Sequence, residues 1–173
     1  MGEDTPSNDI NDTSSSYINQ NSGAVYVYAF DGNVWSDPAF LKASNIDAGD
    51  NFGFSISLSD DGATLAVSGI GEDSNTTGLN SEANELAQDS GAVYLFKRTL
   101  DTWSIPSYIK APNTGTQDAF GSAIALSGNG GSLAIGAPME NSGASGINGN
   151  QIDDCGATPA SNCGPMSGAV YVY

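Results

Sequence analysis

The sequence predicts an all-β fold assembled from a repeated unit of four short antiparallel strands. Residues 22–74 align without a gap on residues 90–142, 68 positions further on, and 22 of the 53 pairs are identical. Short apolar stretches alternate with turn signals, and no segment shows a helical period over ten residues. Self-similarity at a fixed period of this size is typical of solenoids, propellers and other arrays.

The central repeat accounts for four predicted strands. The first is 52–59, in which the even positions carry large apolar side chains that should share one face, while positions 53, 55 and 57 carry Gly or Ser. That small-residue face would allow another backbone to approach closely. The second strand is 64–67, the third is 92–97 after a long loop over 71–89, and the fourth is 103–111.

The flanking segments repeat parts of this pattern. Strand 24–30 has apolar side chains on both faces, which predicts that both faces are covered. A second strand should run from Val34 or Trp35 to about Ala43, with Pro38 favouring an edge position because proline lacks the N–H donor. After the central repeat, strands are predicted at 120–127, 132–135 and 169–173. We therefore divide the single segment 1–173 into repeats 2–70 and 71–138 and a partial repeat 139–173.

Four-stranded units placed side by side are the blades of a β-propeller. The chain supplies about two and a half repeats, and a blade without neighbours would leave apolar faces in water. We therefore expect part of a larger propeller or assembly, in which other copies or further blades of a longer chain supply the missing partners.

Charge excludes several classes of partner. The chain has 20 acidic and four basic residues and a net charge of −16. Such a surface repels nucleic acid and anionic membranes and attracts cations. No stretch approaches the ~20 apolar residues that span a bilayer, so we expect no membrane insertion. The absence of histidine removes the commonest general base and argues against an enzyme.

Two features indicate an extracellular location. Cys155 and Cys163 lie in one polar loop, where a local disulfide is the favoured interpretation and a pair of free thiols the alternative. Asn11 and Asn75 begin N-glycosylation sequons in polar loops, although so short a motif also arises by chance.

Repeated polar and aromatic positions leave alternatives open. Asp50 and Asp118 both precede Phe-Gly, and Glu72 corresponds to Glu140. A carboxylate at such a position either caps a turn by accepting backbone N–H groups or binds a cation. Trp35 and Trp103 also correspond, and a large residue that covers the outer edge of a blade is favoured over a platform for carbohydrate.

Three groups of letters resemble a known repeat. Phe120-Gly121 is followed by Gly136-Ala137-Pro138 and then by Ser-Gly-Ala-Val-Tyr at 167–171. Over essentially the whole chain this resembles the FG-GAP repeat, which builds the β-propeller of integrin α subunits and of many bacterial surface and secreted proteins. The polar loop at 139–149 looks more like the bacterial type. The resemblance implies about seven blades and a role in adhesion.

The resemblance also implies calcium. Integrin-type repeats often hold Ca²⁺ in the turn between their first two strands, through an Asp-x-Asp-x-Asp-Gly-x-x-Asp pattern. The matching turns here, 58–62 and 126–130, keep the glycine but retain two carboxylates and none, respectively. With the repeated acidic positions, the candidate Ca²⁺ ligands are Asp50, Asp60, Asp61, Glu72, Asp73, Asp118 and Glu140.

The sequence therefore favours a non-catalytic extracellular protein of structural or adhesive function, whose blades serve in assembly, including filaments, or in cell-surface interaction. The alternative is a Ca²⁺-dependent module that binds a glycan or a surface protein. An enzyme would have to use a pair such as Asp153 and Asp154 as acid and base, and these lie in a polar insertion without histidine.

Overall fold

The computed structural model describes residues 20–151 and 166–173, which form ten strands and no helix. All pairings between these strands are antiparallel, so the predicted all-β class is confirmed. The strands are β1 (Val25–Val27), β2 (Ala39–Leu41), β3 (Phe52–Leu58), β4 (Thr64–Gly69), β5 (Ala92–Thr99), β6 (Thr102–Trp103), β7 (Ser107–Ile109), β8 (Ala123–Leu126), β9 (Leu133–Ala137) and β10 (Ala169–Val172).

The central sheet is the predicted four-stranded unit. Its main path is β3-β4-β5, and β7 pairs with β5 on the side away from β4. The two-residue strand β6 extends the far end of β5 as a hairpin. We call β3 to β7 unit 2. Its four main strands, in this order, are what a propeller blade requires.

The flanking strands form two smaller sheets of matching topology. β1 pairs with β2 and constitutes unit 1, the counterpart of β5 and β7. β8, β9 and β10 pair in the order β10-β9-β8 and constitute unit 3, the counterpart of β3, β4 and β5. The described residues therefore contain one complete unit between two partial ones, as the repeat predicted, and no closed propeller is formed within them.

Several predicted strands are shorter in the structure. The strand expected from Val34 or Trp35 to Ala43 is reduced to β2, and the one expected over 103–111 is split into β6 and β7. Pro38 and Pro106 lie in the missing parts, because a residue without an N–H cannot continue the ladder. Likewise β8 begins at Ala123 and not at Phe120.

The two faces of β3 meet different environments. The small-residue face packs against unit 3, and the Leu126 backbone N–H there donates to Ser57 Oγ at 2.9 Å. The large apolar face was predicted to include Phe52, but the register shifts between Phe52 and Ile56, where Gly53 has a φ of +96°. Phe52 is therefore buried, whereas Phe54, Ile56 and Leu58 are at least half exposed.

Two apolar cores join the three units. The first lies between units 1 and 2, where Val25 and Leu41 pack with Phe52, Tyr94 and Trp103 of unit 2. The second lies between units 2 and 3 and consists of Ala66, Val93, Ile109, Ala111, Phe120, Leu133, Ile135, Ala137 and Tyr171. Each core is thus an interface between successive units, so neither partial unit buries its inner face by itself.

Both junctions use the same backbone contact. Phe52 N–H donates to Ser22 O at 2.9 Å, and Phe120 N–H donates to Ser90 O at 3.0 Å. The residue after each serine is a glycine with a φ of +80°, Gly23 or Gly91. A Cβ on Gly91 would lie 2.2 Å from Phe120 O, so no other residue fits while the junction keeps its geometry.

We expect Gly91→Ala to destabilise the protein by several kcal/mol, because it adds a backbone clash to the cost of about 1–2 kcal/mol for an alanine at positive φ. Gly62→Ala is the matched control, since Gly62 also has a positive φ, +67°, but a Cβ placed there would meet no atom within 4 Å. Chemical unfolding measures both variants. Equal losses of stability would contradict the role of close backbone approach at the junction.

Candidate functional site

The most buried charges in the described residues are those of Glu72 and Lys110. Glu72 follows β4, an inner strand, at the start of the long loop, and Lys110 follows β7 at one edge of the same sheet. Lys110 Nζ lies 2.6 Å from Glu72 Oε2, and the two side chains are 0% and 1% exposed. The pair therefore ties the loop to the outer strand of unit 2.

Polar neighbours satisfy both charges. Lys110 Nζ also donates to Ser90 Oγ and Gly91 O, each at 2.7 Å. Glu72 accepts hydrogen bonds from Tyr108 Oη at 2.6 Å and from the hydroxyl of Ser74. Burial raises the pKa of the Tyr108 phenol and the charge of Glu72 raises it further, so this hydroxyl remains a donor. Burial lowers the pKa of Lys110, while Glu72 opposes that shift.

Parts of this cluster recur in the neighbouring units. Lys42 is buried in unit 1 and donates to Ser22 Oγ at 2.8 Å and to Gly23 O, as Lys110 does to Ser90 and Gly91. Glu140 is buried in unit 3, where its Oε1 accepts from Asn113 Nδ2 at 2.9 Å and from the Ser142 N–H at 3.0 Å. The cluster is thus a repeated structural element.

Asp50 and Asp118 cap turns before the Phe-Gly pairs. Asp50 Oδ2 accepts from the Asp47 N–H at 2.9 Å, and Asp118 Oδ2 accepts from the Gly115 N–H at 2.7 Å. Burial raises the pKa of Asp50 to about 8, although the bond from Asp47 N–H opposes the shift. Nearby acidic side chains, Glu72 among them, add to the increase in this pKa.

Asp60 and Asp61 occupy the turn between β3 and β4. Asp61 Oδ1 accepts from Ser59 Oγ at 2.6 Å and from the Ala63 N–H at 2.9 Å, and these bonds lower the pKa of Asp61. The Asp60 N–H donates to Gly128 O in unit 3 at 2.8 Å. This turn therefore closes on itself and contacts the next unit.

Asp73 and Asn75 lie in the long loop of unit 2. Asp73 Oδ1 accepts from the Asp89 N–H at 2.6 Å. Asn75 is exposed, and its side-chain oxygen accepts from Asn84 Nδ2 at 3.1 Å. The predicted disulfide between Cys155 and Cys163, the sequon at Asn11 and the pair Asp153 and Asp154 lie outside the described residues.

The acidic side chains do not converge on a calcium site. Within residues 20–151 and 166–173, no group of three Asp, Glu, His or Cys residues is arranged to hold a metal ion. Ca²⁺ takes about six to eight oxygen ligands, whereas Asp61, Glu72 and Asp118 each bond to neighbouring protein groups. As it stands, the arrangement does not fit the ion, and the calcium ligands proposed from the sequence stay a prediction.

Apolar side chains are exposed at both ends of the array. Phe54 and Ile56, on the face of β3 that points away from unit 3, are each 57% exposed, and Val170 and Val172 on β10 are 71% and 75% exposed. Unit 1 also leaves one face of β1 open, since Tyr26 is 44% exposed, which corrects the prediction that both faces of this strand are covered.

Trp35 and Trp103, which correspond in the two repeats, also differ in exposure. Trp103 is buried at the junction with unit 1, which agrees with a structural role at the outer edge. Trp35 is 66% exposed and lies against Phe30, with ring centroids 5.0 Å apart. The difference arises because Trp103 has a preceding unit to pack on within the described residues and Trp35 does not.

Comparison with known proteins agrees with the repeated Phe-Gly letters. A family model described as the FG-GAP repeat matches residues 35–96, from Trp35 through most of β5. Residues 35–96 are thus similar to an FG-GAP repeat. No curated protein and no solved structure matches it. FG-GAP repeats occur typically in extracellular proteins and bind Ca²⁺ in some of them. No helix in the described part of the chain is long and apolar enough to cross a membrane.

The sequence does not predict the central charge pair of unit 2. The sequence identifies Glu72 as a repeated carboxylate, whereas its partner Lys110 is only one of four basic residues there. A signal was present, because Lys42 and Lys110 occupy the same position in the two repeats. A lysine retained at that position in so acidic a chain indicates a specific acidic partner.

We expect Lys110→Met to destabilise the protein by about 3–5 kcal/mol, because removal of one partner leaves the charge of Glu72 buried and uncompensated. Arg98→Ala is the control. It removes the exposed ion pair between Arg98 and Asp101, 3.1 Å long, and should cost less than about 1 kcal/mol. Urea unfolding measures both. A loss for Lys110→Met no larger than that of the control would show that the pair is not a major contact.

Asp50 should make stability depend on pH. Its folded-state pKa, about 8, is above the ordinary value of 3.8, so the folded state binds the proton more tightly. The stabilisation is complete below the unfolded pKa and is lost as pH rises through about 8. The free energy of unfolding should therefore fall between about pH 4 and about pH 8, and Asp50→Asn should flatten this dependence. An unchanged profile in Asp50→Asn would contradict the assignment.

Proposed function

We propose that this repeat protein is a non-catalytic structural or adhesion protein of the cell exterior, whose β-units serve in assembly or cell-surface interaction. The observation that carries the proposal is the exposed apolar surface at both ends of the array, Phe54 and Ile56 on β3 and Val170 and Val172 on β10. Large apolar side chains exposed together in this way mark interaction sites.

Internal geometry supports assembly as the use of these surfaces. The second core shows what covers the corresponding positions within the chain, since Val93 of β5 is fully buried by unit 3 while its counterpart Val170 is exposed. The two ends differ from one another, so a contact between them is head-to-tail and need not close. Repeated addition would produce filaments.

The charge and the repeat family support the remaining parts of the proposal. A net charge of −16 keeps nucleic acid away and favours solubility before assembly. A role without catalysis is supported by the internal hydrogen bonds of the acidic side chains described above, which tie them into turns and junctions. The extracellular location and the bacterial type rest on the family resemblance and on the cysteine-containing loop.

The test is the size of the purified chain over a range of concentrations, by light scattering and negative-stain microscopy, with and without EGTA. We expect assembly to increase with concentration, because apolar end faces leave water. Insensitivity to EGTA would agree with the absence of a metal cluster in the described residues. Dispersed monomers at every concentration would contradict the assembly function.

A Ca²⁺-dependent module for a glycan or a surface protein is the second candidate. The exposed aromatic pair of Phe30 and Trp35 favours it, since flat aromatic side chains supply contact area for a ligand. We expect a glycan ligand to quench Trp35 fluorescence in the Trp103→Phe variant, and Trp35→Ala to abolish binding in calorimetry with Ca²⁺ present. No heat with any glycan of a broad panel would exclude a glycan as the ligand.

A further inference from the structure

We infer that two copies of this chain join by strand exchange, in which β1 and β2 of one copy complete the sheet formed by β8 and β9 of another. The inference rests on the proposed assembly function and specifies both the partner and the contact. A second copy of the chain is the occupant of the open end faces.

The first support is sequence identity between two strands at opposite ends. Residues 22–28, which contain β1, and residues 167–173, which contain β10, both read Ser-Gly-Ala-Val-Tyr-Val-Tyr. β10 pairs with β9 in a register that places Tyr171 opposite Ile135 and Val172 opposite Ala134. Because β1 has the same side chains in the same order, it can make the same ladder on β9 of a second copy.

The second support is the strand inventory of the partial units. The complete unit 2 consists of β3, β4, β5 and β7, with β6 as an extension of β5. Unit 1, within the described residues, has the counterparts of its last two strands, and unit 3 has the counterparts of its first three. β8 and β9 of one copy together with β1 and β2 of another make one complete unit, and β10 is the strand that β1 replaces.

The third support is the burial of side chains. Phe54, Ile56 and Leu58 are exposed at the place where the first strand of a preceding unit would lie. Ile124, the counterpart of Ile56 in unit 3, does have a preceding unit and packs against the core between units 2 and 3. In the exchanged pair, β8 of the second copy would cover this face. Exchange also replaces the exposed Val170 of β10 by Val25 of β1. Val25 is only 8% exposed, because unit 2 of its own copy covers it.

The fourth support is the buried charge cluster. Within unit 2, Glu72 and Lys110 approach to 2.6 Å. Glu140 is the counterpart of Glu72 in unit 3, and Lys42 is the counterpart of Lys110 in unit 1. Exchange places Glu140 of one copy beside Lys42 of the other, so the joined unit reproduces the interaction of the complete one.

A disulfide lock between β9 and β10 tests the exchange. Ala134→Cys and Val172→Cys, which are register partners, are introduced into a chain that also carries Cys155→Ser and Cys163→Ser. Oxidation should hold β10 on β9 and keep the protein monomeric in light scattering, whereas reduction should restore assembly. The control lock, Thr99→Cys with Thr102→Cys, joins β5 to β6 outside the exchanged strands and should assemble in both redox states.

The outcomes of the lock experiment separate this inference from the broader proposal. Assembly of the β9–β10 lock in its oxidised form would overturn strand exchange and leave an assembly function in place. A chain that stays monomeric under all conditions, with or without the lock, would overturn both. Loss of assembly on oxidation in the β9–β10 lock and not in the β5–β6 control is the result that exchange requires.

Two further variants test the same contact without a disulfide. Ile56→Asp introduces a carboxylate on the face that exchange buries and should abolish assembly, while Ile105→Asp, at a position 82% exposed between β6 and β7, should leave it unchanged. In Trp103→Phe, the emission of Trp35 should move to shorter wavelength on assembly, because the counterpart Trp103 is buried by a preceding unit. Equal assembly of the two Asp variants would contradict the inference.

Discussion

The buried ion pair between Glu72 and Lys110 is the interaction on which the rest of unit 2 depends. Two charges removed from water are tolerated only when geometry and additional hydrogen bonds compensate for desolvation. Here Tyr108 and Ser74 satisfy the carboxylate, and Ser90 satisfies the ammonium group. Since these residues come from the two ends of the long loop and from β7 and its end, the cluster fixes where the loop leaves and re-enters the sheet.

The fixed loop in turn determines how units meet. The loop returns to the sheet at Ser90 and Gly91. Ser90 O accepts the backbone N–H of Phe120 of the next unit, and Gly91 lets the two backbones approach closely. Each unit then covers its inner face with the following one, and stability accumulates at interfaces between neighbours. The same dependence explains why the ends of the array are apolar and exposed.

Most of the fold could be predicted from the sequence, but only part of the site. Period-two alternation and glycine turns located β3, β4 and β5, and the 68-residue repeat indicated the order of the units. The shortening near Pro38 and Pro106, and the separation of Phe52 from the rest of its face by Gly53, depend on local backbone geometry that alternation does not encode. The pairing of Glu72 with Lys110 could not be read from spacing, because it joins residues 38 positions apart across the sheet.

A double-mutant cycle on Glu72→Gln and Lys110→Met tests the dependence on the buried pair most directly. The single variants each leave a buried group without its partner, whereas the double variant removes both charges and much of the desolvation cost with them. We predict that the double variant is much more stable than the sum of the two single losses implies, with a coupling free energy of at least about 1 kcal/mol in urea unfolding. Additive losses, within about 0.5 kcal/mol, would contradict the central role of the pair.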